Sequence, residues 1–80
     1  MIDTNLELIQ AIARREVVQP TWADLAEKRA KPVFERIARL RAFGNLKPGS
    51  KPAQEVFLQA HTLEADLWPA LNAIRRKKGL

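Results

Sequence analysis

The 80-residue chain is predicted to fold as an all-α protein, a small single-domain bundle of four to five helices spanning residues 1 to 80. Three observations lead there. Apolar residues recur at three- and four-residue intervals, no useful stretch alternates with the period of two that a strand needs, and proline and glycine fall where helices start and stop. No low-complexity segment interrupts the pattern, and the similar triples Ala11-Ile12-Ala13, Arg36-Ile37-Ala38 and Ala73-Ile74-Arg75 are too irregularly spaced to be repeats.

A first helix is expected from Thr4, where Thr4-x-x-Glu7 has the form of a capping box. Leu6, Ile9 and Ala13 share one face, Leu8 and Ile12 widen it, and Arg14 and Arg15 arrive at the negative end of the helix dipole before an end near Glu16. Val17-Val18-Gln19-Pro20 then reads as an extended connection carrying apolar anchors. Thr21, with Asp24 three residues on, repeats the start signal, and Trp22, Leu25 and Ala26 give a short second helix its inner face.

Pro32 suits a first helical turn and disfavours a helix interior, so a bend near Ala30-Lys31 is expected to separate the second helix from a third. That third helix holds Val33, Phe34, Ile37, Leu40 and Phe43, with Gly44 as a left-handed stop against which Leu46 folds back. Asn45 to Lys51 is a turn, and Pro52 opens the C-terminal segment, 52–78, in which Val56, Phe57 and Ala60 are followed by Leu63, Leu67, Leu71 and Ile74. Pro69 is expected to kink that segment, or the helix to restart near Thr62 or Asp66. Arg75 to Lys78, before Gly79, suit a helix C-terminus that frays into solvent.

Composition narrows the chemistry. There is no cysteine, so neither a disulfide nor a thiolate metal site is available. His61 is the sole histidine and has only the scattered Glu55 and Glu64 near it in sequence, so no metal, cofactor or catalytic constellation is expected and the chain reads as a non-enzyme. No apolar run approaches the length that crosses a bilayer, and the chain opens at Met1-Ile2-Asp3-Thr4 without a basic segment before an apolar one. A soluble, cytoplasmic protein with no membrane partner is the expectation. A net charge of +5 favours acidic partners: DNA, RNA, anionic lipid or an acidic protein face.

The charge is concentrated mid-chain. Between Glu27 and Arg41, Lys28, Arg29, Lys31, Arg36, Arg39 and Arg41 stand against two acids, Glu27 and Glu35, around the apolar series Leu25, Val33, Ile37 and Leu40. The string Pro20-Thr21-Trp22-Ala23-Asp24-Leu25-Ala26-Glu27-Lys28, followed by Arg36-Ile37-Ala38-Arg39-Leu40 and Phe43-Gly44-Asn45-Leu46, resembles the second and recognition helices of helix-turn-helix regulators. The resemblance implies a tri-helical unit over residues 1–46, and the short Asn45–Lys51 turn implies a wingless variant. It also implies that outward residues near the start of the third helix approach base edges while flanking basic residues hold phosphates, which points to Lys31, Glu35, Arg36 and Arg39, with Lys28, Arg29 and Arg41 in the same duplex DNA-binding set, as in a repressor or accessory regulator. RNA fits less well, because stacking platforms need exposed aromatics and the chain has five aromatic residues, most on apolar faces.

Two other readings stand beside that one. The stripe also fits a solvated helix face on which Glu35 and Arg39 pair at i and i+4. The alternative function is a helical protein-interaction module that binds and inhibits or adapts a partner, with Leu67, Trp68, Leu71 and Ile74 as a groove or homodimer face; the same residues could equally complete the monomer's core. Trp22 and Trp68 read as core or core-edge aromatics and His61 as a surface residue.

Overall fold

A computed structural model describes residues 3–78; the Met1-Ile2 opening and the Gly79 stop lie outside them. Its order is α1 (Thr4–Ala13), α2 (Pro20–Leu46) and α3 (Lys51–Lys77), all-helical with three helices rather than four to five.

α2 and α3 form an antiparallel hairpin because each has one unbroken seam. On α2, Ala23, Ala26, Ala30, Val33, Ile37, Leu40 and Gly44 follow alternating steps of three and four; on α3, Ala53, Val56, Ala60, Leu63, Leu67, Ala70 and Ile74 do the same. Ten of these fourteen side chains are buried hydrophobics and Gly44 is buried with them. The seam runs through Pro32 without a change of phase, so the expected bend at Ala30-Lys31 is absent and α2 is one helix of 27 residues. Pro69 likewise lies inside a single α3, with no restart at Thr62 or Asp66. Both rings are exposed, and the residues whose carbonyls they leave without an amide partner, Lys28 and Ala65, are exposed too, so water can satisfy those groups. Without a turn at residue 30, residues 20–46 do not divide into the two helices of the tri-helical arrangement.

Helix ends differ from the expected ones by one to three residues. The α1 cap is Asp3, whose carboxylate accepts from the amides of Asn5 and Leu6 at 3.0 and 3.2 Å, and α1 stops at Ala13 rather than Glu16. α2 begins with Pro20 at its first turn after Gln19, without a side-chain cap from Thr21. Ser50 caps α3 by accepting from Ala53 N–H at 3.2 Å. Gly44 is helical and not a left-handed stop; α2 ends at Leu46, and the left-handed conformation is taken by Gly49 in the turn, at φ 85°. Gly44 instead admits the Phe57 ring, since a Cβ there would stand 2.7 Å from it. Leu46, expected to fold back, is 77% exposed.

α1 lies across the N-terminal half of α2 and the C-terminal half of α3. Leu6, Ile9 and Ile12 enter the common core, and Val18 in the connection is fully buried, its amide facing the Lys77 carbonyl at 3.5 Å. Lys77 Nζ donates to the Ala13 carbonyl at 2.6 Å, and the Arg15 guanidinium lies 4.1 Å from the centre of the Trp22 ring.

Two substitutions test this packing. Pro32→Ala should stabilise the chain by about 1–3 kcal/mol in urea unfolding, because it restores a helical amide without touching the seam; destabilisation would indicate a real turn at that point. Gly44→Ala should destabilise by about 1–2 kcal/mol despite alanine's higher helix propensity, and the sign should reverse when Phe57 is shortened to leucine; a stabilising effect in the parent chain would contradict the close approach.

Candidate functional site

At 100° per residue, the six mid-chain cations lie on three sides of α2 and do not form one stripe. Arg29 and Arg36, seven apart, turn toward α1, where they donate to Asn5 Oδ1 and Asp3 Oδ2, each at 3.4 Å. Arg41 is on the opposite flank and pairs with Glu64 of α3. Lys28, Lys31 and Arg39 point outward and exposed, with the exposed Glu35 between them. Glu35 and Arg39 make no ion pair among the described residues.

The Arg41 flank is a ladder of cross-helix contacts. Glu27, Phe34 and Arg41 recur every seven residues on α2 and meet Arg75, Trp68 and Glu64 of α3; the Phe34 and Trp68 rings are 5.2 Å apart and tilted by 56°. Arg75 Nε donates to Glu27 at 2.8 Å, and this hydrogen bond first, then the charges of Arg75 and Lys78, holds the Glu27 carboxyl below its ordinary 4.5 against partial desolvation. Of the residues expected to bind a partner, Leu67, Leu71 and Ile74 are core side chains at 0–1% exposure, and Trp68, 42% exposed, rests on Phe34. His61 is exposed, and no group of three or more metal-ligating side chains comes together among the described residues.

What the structure leaves open is the turn end of the hairpin. The ten residues of α1 span about 15 Å against about 40 Å for each long helix, so α1 covers less than half of the groove between them. Leu25 lies under α1 beside Leu8 and Ile12. Phe43 lies eighteen residues, five full turns, further along the same face of α2, beyond the reach of α1 and 57% exposed. Leu46 and Leu58 are also exposed there, at 77% and 66%.

Two hollows mark the uncovered stretch. One, of about 530 Å³, begins where α1 ends and is lined by Arg36, Leu58, Gln59, Thr62 and Leu63. The other, of about 470 Å³, lies at the turn among Phe43, Leu46, Lys47, Ser50, Pro52 and Ala53. Sequence reasoning placed Phe43 and Leu46 inside and did not single out Leu58. The available signal was phase: all three fall outside the three-four seam, in the half of the hairpin where α1 cannot reach them.

Comparison of the chain with protein-family models, with curated proteins and with solved structures returned no match. None of the described helices is long and apolar enough to cross a membrane.

The Glu27–Arg75 pair is exposed enough to contribute little, about 0.5 kcal/mol or less. Because the folded carboxyl has the lower pKa, that contribution is present above the unfolded value and is lost as pH falls through the depressed one. Urea unfolding of the parent chain and Arg75→Gln should therefore differ slightly at pH 7 and converge in acid below the ordinary 4.5 of Glu27; a gap that persists at pH 2.5 would point to packing of the arginine stem instead.

Proposed function

We propose that this chain is a non-enzymatic helical protein-interaction module that binds a partner protein and inhibits or adapts it. The docking site is the uncovered trough at the turn end of the hairpin, and its occupant is an amphipathic segment of the partner. One observation carries the reading: Phe43 and Leu46, large apolar side chains at 57% and 77% exposure, line one hollow of a groove that the same two helices fill with α1 further along, and Leu58, at 66%, lines the other. Helix-in-groove recognition needs such a floor, with anchors spaced along a helix.

A second reading is favoured by the net charge of +5 and by the outward line of Lys28, Lys31 and Arg39: a DNA-binding repressor or accessory regulator that grips duplex phosphates. It draws on three exposed cations interrupted by Glu35, while Arg29, Arg36 and Arg41 are engaged by Asn5, Asp3 and Glu64. That supports weak, sequence-independent attraction better than a reading helix.

Two measurements separate these functions. A partner retained by the immobilised chain should be lost with Phe43→Ser combined with Leu46→Ser, and kept with Trp68→Ala, while circular dichroism shows unchanged helicity. Fluorescence anisotropy with a duplex DNA at about physiological salt should show no binding at micromolar protein. Duplex binding that falls linearly with salt on logarithmic axes, and that Lys28→Glu, Lys31→Glu and Arg39→Glu together abolish, would replace the first reading with the second.

A further inference from the structure

The trough is a continuation of a contact already made within the chain, so what α1 does there describes what the groove accepts. α1 presents Leu6, Ile9 and Ile12 to the floor and sets the carboxylate of Asp3 3.4 Å from Arg36 on the rim. Beyond Arg36 the outer edge of α2 carries the outward-pointing Arg39, four residues before Phe43 and seven before Leu46, and then Lys47, which lines the second hollow; across the turn, Lys51 stands between the lining residues Ser50 and Pro52. Among the described residues no carboxylate lies within 4.0 Å of the charged nitrogens of Arg39, Lys47 or Lys51. Glu55 is the one acid along the opposing α3 rim, where Gln59 and Thr62 follow it. The floor is apolar and the unpaired rim is cationic.

Resting on the interaction-module reading, we infer that the occupant of the trough is an amphipathic helix of a partner protein with carboxylates along its flanks. Its apolar stripe covers Phe43, Leu46 and the half-buried Leu40 and Val56, and its acids meet Arg39, Lys47 and Lys51. The uncovered stretch, 37–46 on α2 and 51–62 on α3, is about 15–18 Å long, which matches a helix of ten to twelve residues. A second copy of this chain fits less well, because two copies bring like-charged rims together on molecules of net charge +5 each. The phosphates of a nucleic acid match the rim but leave the exposed Phe43 and Leu46 without a use.

The test is a titration of the full chain with two synthetic peptides and one duplex. Both peptides are capped fourteen-residue helix formers with leucine at i, i+3, i+7 and i+10; one carries glutamate on its flanks and the other lysine. The glutamate peptide should bind saturably, weaken about tenfold between 50 and 500 mM NaCl, and bind about tenfold less well when Lys47→Glu and Lys51→Glu are combined. The lysine peptide should bind at least about tenfold more weakly than the glutamate peptide to the parent chain and gain affinity for that double variant. Equal binding of the two peptides would overturn the charge assignment and leave the interaction module standing. No peptide binding, with capture of partners unaffected by Phe43→Ser and Leu46→Ser, would remove both. A concentration-dependent dimer dispersed by Phe43→Ser would give the trough to a second copy, and duplex binding lost with Lys47→Glu and Lys51→Glu would give the rim to nucleic acid; either result overturns the inference.

Discussion

The close approach of α2 and α3 along a seam of small residues is the constraint from which the rest of the molecule follows. Ala23, Ala26, Ala30, Ala53, Ala60 and Ala70 are all buried, and Gly44 lies against the Phe57 ring. Small residues let two helices pack closely, yet each removes little apolar surface from water, so the seam needs larger side chains to hold it. These are unevenly placed. The largest fully buried side chains are Ile9, Val18, Val33, Leu67, Leu71 and Ile74, all at the end where α1 and its connection close over the hairpin. The other end has Ile37, Ala53 and Ala60 as its buried hydrophobics, with Leu40, Val56, Phe57 and Leu63 half-buried around them. One end is therefore a three-helix core and the other a bare hairpin, and the candidate site is the boundary between them extended to the turn.

That asymmetry also accounts for the prolines. A proline inside a helix costs about 3 kcal/mol when judged by propensity alone, and both long helices contain one. Pro32 lies next to the fully buried Val33, and Pro69 lies between Leu67 and Ala70, so each falls where tertiary burial on the inner face is densest. Their rings point the other way, into solvent. Packing of the seam outweighs the lost amide bond because the helix is held from inside, and the same substitution near Phe43 or Leu58 would have no comparable burial to offset it.

Much of the fold was legible in the sequence for reasons that were local. The all-helical class, the extended link anchored by Val18, the turn around Pro48 and Gly49, and the core positions Leu6, Ile9, Val33 and Ile37 follow from periodicity and turn chemistry, whereas Leu67, Leu71 and Ile74, offered as a partner-binding face, belong to the core. What was misread depended on weighing a local rule against a longer pattern. Pro32 was given the authority to end a helix, although the three-four seam keeps its phase from Ala23 to Gly44 and a turn at residue 30 would have broken it. Gly44 was read as a stop by its residue type, whereas its position in the seam makes it a place where a neighbouring ring enters. The mid-chain cations looked like one stripe because they are close in sequence; on a helix, six cations within fourteen residues surround the axis. Acids remote in sequence, Asp3 and Glu64, then took two of them.

Arg36 joins the two halves of the molecule physically. Its guanidinium holds Asp3, which caps α1, and the same side chain lines the hollow where the uncovered groove begins. A carboxylate arriving in that hollow meets a cation already shared with the cap of α1, so occupancy of the trough and seating of α1 depend on one group. Electrostatics at such a half-exposed position is modest, on the order of 1 kcal/mol or less, and cannot by itself displace a helix whose Ile9 is fully buried. The apolar contacts therefore decide whether a partner binds, and the charges decide which partner and in what direction it lies. The one end of this hairpin that the described residues leave uncovered supplies both, with the apolar floor at Phe43 and Leu46 and the charge at Arg39, Lys47 and Lys51.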